Sequence, residues 1–224
     1  AANGELHPVK LARGLLAAAV GSGMELVAPA DVTEIGQERG GVSLQLEGAR
    51  EISASKVIVC AGYEVLPQVP RGRYRLISTW ALATKPLDAV RLLPARPLIW
   101  EQSDPYLYMR TTPDNRIVAG GEDAEFSSPA RRDALIPAKA RAIMRKLQAF
   151  LPDFDGEVDY AWAGTFADSP TGLPTIGVVP GMSNVFTTLG SGGNGITFSA
   201  IAAGIARHWV LGRRHPDAKL YDFG

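Results

Sequence analysis

The first 23 residues carry a helical pattern of hydrophobic positions. Pro8 stands at the start of this pattern, and proline is favoured in the first turn of a helix because its missing N–H group costs nothing there. Apolar side chains then recur at helical spacing on one face: Leu11, Leu15, Leu16 and Ala19. Glycines at positions 21 and 23 end the pattern, so we predict a helix that begins at Pro8 and stops before them.

Extended patterns follow this helix. A short apolar strand is predicted at 24–27, and alternating segments at 31–35 and 42–46 flank an Arg-Gly-Gly turn, which predicts a hairpin. The run KVIVC at 56–60 is rich in β-branched residues and is typical of a strand covered on both faces. Cys60 lies in this run and is predicted to be a small core residue, not a nucleophile. This order of elements is similar to the second half of an α/β nucleotide-binding domain.

The pattern changes after a seam near residues 67–73. Strands are predicted at 74–83, 98–102, 106–111, 116–121, 158–166 and 185–189. Helices are predicted from Pro137 to about Phe150 and from Gly195 to Leu211, and the second is apolar on almost every side, so we expect it to be buried. The first is expected to turn its charges to solvent: Lys139, Arg141, Arg145 and Lys146. This half therefore predicts an antiparallel sheet with helices on one face.

Composition narrows the function classes. The 224 residues carry 23 Lys and Arg against 23 Asp and Glu, and this zero net charge argues against a nucleic-acid-binding surface. A hydrophobic share of 46% is that of a globular protein with a substantial core. The single cysteine cannot form an internal disulfide, and no apolar run reaches the roughly 20 residues of a membrane span. We therefore expect a cytoplasmic protein without a membrane span.

The segment with the most chemical information is TTLGSGGNGI at 187–196. It contains G-x-G-x-x-G at Gly190, Gly192 and Gly195, but a dinucleotide fingerprint requires a second strand after the helix, and none is predicted there. Glycines let the backbone approach a ligand closely, and a helix N-terminus offers unpaired N–H groups to an electron-rich group. The alternative is a tight turn that serves packing alone.

Two other segments offer ligand contacts. Ala61-Gly62 follows the KVIVC strand at the end where α/β sheets bind ligands, although a plain loop glycine is the alternative. Tyr106, Tyr108 and Arg110 alternate, so their side chains are expected on one face, where phenols and a guanidinium can clamp a carboxylate. An ordinary sheet edge is the alternative there. The next strand ends in GGED at 120–123, whose carboxylates we interpret as surface charges.

Metal binding is not predicted. The three histidines, His7, His208 and His215, lie far apart in sequence and away from Cys or carboxylates at ligand spacing. The sequence also contains no P-loop, no G-x-S-x-G elbow and no H-E-x-x-H motif.

Taken together, these segments resemble the FAD-dependent oxidoreductases of the D-amino acid oxidase superfamily. Five pieces occur in family order: Gly4 to Pro8, Ala61-Gly62, Tyr108 to Gly121, Gly172 to Gly177, and Gly190 to Ile196. The resemblance implies an α/β (α+β) fold in three parts. Residues 1–70 would form a partial, Rossmann-like FAD-binding region and residues 71–184 an antiparallel-sheet substrate domain with helices on one face. Residues 185–224 would return to the FAD-binding region as a strand and a helix.

The resemblance also implies FAD as the cofactor and assigns residues to it. Against the pyrimidine end of the flavin would lie Gly192, Gly193, Asn194, Gly195 and Ile196, and Gly190 would also contact the cofactor. Val32 would touch the adenine end, Ala61 and Gly62 would line the ribose and phosphates, and the sheet with Tyr106, Tyr108 and Arg110 would cover the substrate. The implied reaction is oxidation of the C–N bond of an amine or amino acid, with hydride passing to the flavin.

Two departures from the family pattern bear on function. The N-terminal loop that holds the pyrophosphate is not found in this sequence, so we expect the chain to be an incomplete enzyme, to bind FAD weakly or not at all, and to be inactive by itself. Phe166 stands where members acting on simple amino acids tend to carry an arginine.

Two alternatives stay open. One is a non-catalytic small-ligand-binding or interaction domain derived from such an enzyme, and the other is an NAD-dependent dehydrogenase, disfavoured by the missing strand. Apolar faces around 57–59 and 196–205, if uncovered, also predict a homo-oligomer.

Overall fold

The computed structural model describes residues 4–70, 74–88 and 93–223. They form two compact units. We call the one made of Ala1–Tyr74 and Ala167–Gly224 the two-segment unit, and the one made of Arg75–Phe166 the central unit.

The described elements follow one another along the chain. The strands are β1 Val32–Glu38, β2 Gly41–Leu46, β3 Arg50–Ala54, β4 Val57–Val59, β5 Arg75–Thr84, β6 Ile99–Trp100, β7 Leu107–Thr111, β8 Ile117–Ala124, β9 Val158–Asp168, β10 Thr175–Val178 and β11 Val185–Leu189. The α-helices are α1 Pro8–Gly21, α2 Pro129–Ala134, α3 Ile136–Phe150 and α4 Gly195–Val210. Short 3₁₀ helices span Gly192–Asn194 and Pro216–Leu220.

Two three-stranded sheets organise the two-segment unit. β1, β2 and β3 form an antiparallel meander, whereas the second sheet has the order β10-β11-β4. In that second sheet β11 runs antiparallel to β10 and parallel to β4, so Thr187 lies opposite Val59. One face of this sheet packs on α4 through Phe186 and Ile205. Both strands that precede the predicted ligand segments are therefore neighbours.

A five-stranded sheet with the order β6-β7-β8-β5-β9 forms the central unit. The pairs β6–β7, β7–β8 and β8–β5 are antiparallel. α3 covers one face, where Ile143 and Leu147 are fully buried against a cluster that includes Trp80 and Met109. The predicted antiparallel sheet with helices on one face is confirmed, and with it the mixed α/β class.

Several predicted element bounds are confirmed closely. β11 covers the predicted residues 185–189, and α3 and α4 begin within one residue of their predicted starts. The hairpin of β1 and β2 also forms. β3 was not predicted, because its segment REISA carries two charges and stays largely exposed in the structure.

The predicted strand at 24–27 is wrong. Among the described strands, none pairs with this segment, and a strand requires a neighbour for its backbone hydrogen bonds. Met24, Leu26 and Val27 are exposed. Apolar composition alone was therefore not sufficient to form a strand.

The predicted double coverage of the KVIVC strand is also wrong. In the described part of the chain β4 has β11 on one side only, which makes it an edge strand. Ile58, on one face of β4, is 44% exposed, Val57 and Val59 on the other face are half-buried, and Cys60 is exposed instead of lying in the core.

The predicted helices of the two-segment unit form, but they are less covered than expected. α4 buries only Ala202, Ile205 and Ala206, whereas Ile196 and Val210 are exposed. A helix that packs on one face of a sheet can bury only the side turned to it. Every side chain of α1 is exposed or half-buried, although its apolar residues recur as predicted.

The unit boundary differs from the predicted end of the substrate domain at residue 184. The central unit ends at Phe166, and residues 167–184 belong to the two-segment unit. The reason is that β10 lies in this segment and pairs with β11, which in turn pairs with β4.

None of the described helices has the length and apolar character needed to cross a membrane.

Candidate functional site

A glycine turn connects β11 to α4. Gly190 has a φ of +72° and Gly192 a φ of +54°, conformations that glycine adopts without the penalty of a side chain. At Gly190 a Cβ atom would come 3.4 Å from the Cβ of Tyr74, so the turn is also closely packed. The 3₁₀ turn Gly192–Asn194 then leads directly into α4. The predicted segment 190–196 therefore forms one continuous backbone loop at a helix start.

The N-terminus of α4 is open to a ligand. Within the described chain no side chain caps it. Its first residue, Gly195, is half-buried, and the next, Ile196, is exposed. The first-turn N–H groups of a helix lack intrahelical acceptors and carry the positive end of the helix dipole. An electron-rich group placed here would receive hydrogen bonds from the backbone alone.

Ala61 and Gly62 lie at the same edge of the sheet as this turn. They follow β4, which is parallel to β11, so the carboxyl ends of the two strands are adjacent. Thr187 strengthens this pairing because its Oγ1 donates to the Val59 carbonyl at 3.1 Å. Gly62 has a φ of +63° and open space around it. The structure thus brings two of the predicted cofactor segments together.

A cavity of about 750 Å³ opens beside this edge and follows α4. Near the strand ends it is lined by Gly62, Thr188 and Ser191, and along the helix mainly by apolar side chains. Arg207 is the one charged residue among the lining residues of the described chain. The Oγ1 of Thr188 is buried and has no hydrogen-bond partner among the described residues, which leaves a polar atom available next to the cavity.

Val32 lies in the other sheet of the two-segment unit, and residues 169–174 connect β9 to β10. Val32 begins β1 in the other sheet, opposite Leu46, and is 38% exposed. The segment after β9 is tied to itself by Ser169, whose Oγ donates to the Leu173 carbonyl at 2.6 Å. Val32 adds no reactive group to the glycine turn, whereas the carboxylate of Asp168, the last residue of β9, lies beside it: a Cβ atom at Gly192 would come 3.5 Å from Asp168 Oδ1.

The predicted face of β7 is formed in the central unit. Leu107, Met109 and Thr111 are buried on the α3 side, so Tyr108 and Arg110, both half-buried, lie on the opposite face. The Tyr108 phenol lies over Gly120 on the neighbouring strand, where any side chain would collide with it. Trp100 on β6 pairs with Tyr108 and is 64% exposed.

Tyr106 stands just before β7 and is held by a carboxylate. Its hydroxyl donates to Asp123 Oδ2 at 2.9 Å, and its ring lies 6.1 Å from that of Tyr108. Asp123 Oδ1 is buried without a hydrogen-bond partner among the described residues. Burial, and after it the negative charge of Asp123, raises the pKa of the Tyr108 phenol above its usual value, so this phenol stays protonated at neutral pH.

Asp123 contacts the predicted substrate face, and the sequence interpretation missed it. It was interpreted as a surface charge, but it faces the two tyrosines across the sheet. Its placement depends on a register shift between β5 and β8 near Ser78 and Trp80. Strand bulges of this kind reorient side chains, and the local sequence carries no clear signal for them.

Glu122 and two lysines form a structural contact. Lys146 donates to Glu122 Oε1 at 2.7 Å, and Lys139 donates to the Glu122 carbonyl at 2.7 Å while lying 4.7 Å from the Trp80 ring. The expectation that Lys139 and Lys146 belong to a solvated helix face is therefore wrong, whereas Arg141 is exposed as predicted. These lysines join α3 to β8.

No group of three His, Cys, Asp or Glu side chains among the described residues is arranged to hold an ion. His208 and His215 lie with ring centroids 4.8 Å apart, but they form a ring contact near the end of α4.

Comparison with known proteins gives consistent matches. The family model described as FAD dependent oxidoreductase matches residues 1–209. The probable oxidoreductase OrdL of Haemophilus influenzae is 24% identical over 220 residues, which is 94% of this chain and 48% of that protein. OrdL of Rhizobium meliloti is 25% identical over 213 residues, again 94% and 48%. The chain spans about half the length of these curated relatives.

Solved structures agree on the fold. L-proline dehydrogenase from P. horikoshii superposes with a TM-score of 0.78 and 15% identity, covering 96% of this chain and 58% of that one. Glycine oxidase from Geobacillus kaustophilus gives a TM-score of 0.75 and 17% identity, covering 96% and 57%. Iminodiacetate oxidase from Chelativorans sp. gives 0.73 and 19%, covering 95% and 57%.

Proposed function

Because the chain belongs to the FAD-dependent oxidoreductase family, we propose that it serves an enzyme that oxidises the C–N bond of an amine or amino acid. The reaction passes hydride from the carbon next to nitrogen to FAD. The names of three structural relatives, a glycine oxidase, a proline dehydrogenase and an iminodiacetate oxidase, are consistent with such substrates. The chain spans about half the length of its curated relatives, which supports the proposal that it forms part of the enzyme.

The observation that carries this proposal is the shared edge of β4 and β11. There Ala61-Gly62 and the glycine turn Gly190–Ile196 lie at the ends of parallel neighbouring strands, next to the uncapped N-terminus of α4. We assign Gly190, Gly192, Gly193, Asn194, Gly195 and Ile196 to the flavin ring. Ala61 and Gly62 are assigned to the ribose and phosphates, and Val32 to the adenine end. The amides of α4 would donate to the ring where negative charge accumulates during reduction.

The residues present fit the flavin end of the cofactor better than its phosphates. Close backbone approach at Gly190 and Gly192, the available Thr188 Oγ1 and the open helix amides suit a planar, electron-rich ring. A pyrophosphate favours several donors and cations, yet Arg207 is the one charged residue that the described part of the cavity offers. We therefore propose that this chain by itself binds FAD weakly and does not turn over amines.

The substrate side of the proposal uses Tyr106, Tyr108 and Arg110. Tyr108 and Arg110 lie on the sheet face opposite α3, and Tyr106 is fixed beside them by Asp123. Ring and guanidinium groups that are held in place can orient a small polar molecule at little entropic cost. Their part in the reaction is to bind and orient the substrate.

A flavin titration tests the cofactor assignment. The 224-residue chain is titrated with FAD, and quenching of flavin fluorescence gives the affinity. Gly192→Ala places a side chain at a positive φ in the turn, whereas the matched control Gly181→Ala does so at a φ of +79° in a distant turn. We expect Gly192→Ala to weaken FAD binding about fivefold and Gly181→Ala to leave it unchanged.

Three outcomes would contradict parts of this proposal. Equal losses of FAD affinity in the two variants would mean that the glycine turn does not contact the cofactor. Stoichiometric yellow flavin in the purified chain would overturn the expectation of weak binding. An absence of saturable FAD binding would contradict the proposal that this chain by itself holds FAD weakly, and would favour the alternative of a non-catalytic ligand-binding domain.

A further inference from the structure

We propose that the corner formed by Tyr106, Tyr108 and Asp123 binds a protonated amino group of the ligand. This inference rests on the proposed function in one respect, namely that the β7 face receives the substrate. It adds a recognition group, Asp123, and a chemical class, organic ammonium ions. All three residues lie in the central unit.

The first argument is the state of the Asp123 carboxylate. One oxygen, Oδ2, accepts the Tyr106 hydroxyl at 2.9 Å, while Oδ1 is buried and lacks a partner among the described residues. A buried, unpaired carboxylate oxygen is unfavourable, and native proteins keep few of them unless they serve a function. A cation bound at this corner would supply the missing charge partner. Because the carboxylate is half-buried, its field there is less screened by water than that of a surface acid.

The second argument is the aromatic lining of the same corner. The rings of Tyr106 and Tyr108 are 6.1 Å apart and tilted by 33°. Faces of aromatic rings attract ammonium ions that come within about 6 Å of the ring centroid. Rings beside a buried negative charge therefore favour a cation for two independent reasons.

The same geometry disfavours a carboxylate at this end of the face. The sequence predicted that the phenols and Arg110 together clamp a carboxylate. In the structure the Tyr106 proton is already donated to Asp123, and the Asp123 charge also acts on Tyr108. A ligand carboxylate at the tyrosines would be repelled by the negative charge of Asp123.

Hydride transfer determines which amino group is bound here. The C–N bond is oxidised from the neutral amine, because the nitrogen lone pair assists departure of the hydride from the adjacent carbon. An amino group held as an ammonium ion is thus a recognition group and not the reacting one. The ligand class is an amine that carries a second, protonated nitrogen.

Two probes of equal size and opposite charge test this assignment without flavin or turnover. The full chain, isotope-labelled for NMR, is titrated with butylammonium chloride and separately with sodium butyrate. We expect butylammonium to shift the amide signals of Tyr108, Gly120 and Asp123, with at least tenfold higher affinity than butyrate. Asp123→Asn should weaken butylammonium binding about tenfold, and Asp123→Glu should restore most of it.

The matched control is Glu125→Gln, which removes an exposed carboxylate two residues away that pairs with Arg75. We expect it to leave butylammonium binding unchanged. Butyrate binding as tightly as butylammonium, or shifts that map outside the corner, would overturn the inference even if Asp123→Asn failed to fold. Equal losses in Asp123→Asn and Glu125→Gln would overturn it too. Because no cofactor is involved, failure here is distinguishable from failure of the proposed oxidation.

Discussion

The same kind of helical hydrophobic pattern is buried in the central unit and exposed in the two-segment unit. In the central unit α3 buries Ile143 and Leu147 completely against the five-stranded sheet. In the two-segment unit α1 has an equally periodic apolar face, yet Leu15 is 62% exposed and Leu16 is 44% exposed. The difference is that α3 lies on a sheet face that receives its side chains. Periodicity shows which side of a helix is apolar, but burial and stability depend on the partner.

The largest expected effect is on stability, and it comes from making the same Leu→Ala substitution in each of the two helices. Leu147→Ala removes a fully buried side chain from α3 and is expected to destabilise the central unit by about 3 kcal/mol, through lost burial and the cavity left behind. Leu15→Ala removes an exposed side chain from α1 and should change stability by less than about 0.5 kcal/mol. Urea unfolding, with hydrogen exchange at the amides of α3 and of α1, measures both.

Similar losses in the two variants would contradict the contrast. A loss in Leu15→Ala comparable to that in Leu147→Ala would mean that α1 is covered in solution. Hydrogen exchange would then show protection of α1 amides as well.

Elements whose signals are local were predictable from the sequence. β11 and the starts of α3 and α4 follow from β-branched runs, a proline or a glycine at the first turn, and helical spacing. The strand at 24–27 was wrong because a strand depends on a neighbouring strand, and the burial of Cys60 was wrong because burial depends on what covers the side chain. A run of apolar residues cannot show whether its backbone finds that neighbour.

The candidate sites show the same limit. Glycines at 190, 192 and 195 indicated a close backbone approach before a helix, and the structure has the turn there. Asp123 escaped prediction because its contact with Tyr106 joins residues 17 positions apart across a register shift. The charges of Lys139 and Lys146 were assigned to solvent for a related reason, since their partner Glu122 is on β8.

A second prediction concerns the one described cation that ties β4 to α4. Lys56 donates to the carbonyls of Trp209 at 3.0 Å and Val210 at 2.8 Å, where the helix dipole is negative. Its ammonium also lies 5.1 Å from the Trp209 ring centroid. We expect Lys56→Met to destabilise the two-segment unit by about 1.5 kcal/mol and to speed hydrogen exchange in the last turn of α4.

Lys10→Met is the matched control, because Lys10 is an exposed lysine on α1. It should alter the free energy of unfolding by less than about 0.5 kcal/mol. If both variants leave α4 exchange unchanged, the Lys56 contact does not stabilise the helix end. The two-segment unit would then gain little stability from this polar contact, just as α1 gains little from its apolar face.

The smallest expected effect is a pH-dependent one in the central unit. Burial acts to raise the pKa of Glu122, but the hydrogen bond from Lys146 and the charges of both lysines outweigh it, so the pKa lies below its ordinary value of 4.5. The folded state therefore binds this proton less readily than the unfolded chain does. The stabilisation is present above the unfolded pKa and is lost as the pH falls through the folded pKa.

Glu122→Gln removes the charge while keeping the size of the side chain. We expect it to cost about 1 kcal/mol at pH 7, and the difference from the unmodified protein to shrink steadily below pH 4.5. Glu125→Gln, whose carboxylate is 62% exposed, should show less than half of that cost because water screens its ion pair. Urea unfolding from pH 7 to pH 3.5 measures both. A Glu122→Gln difference that stays constant with pH would mean that packing, and not charge, joins α3 to β8.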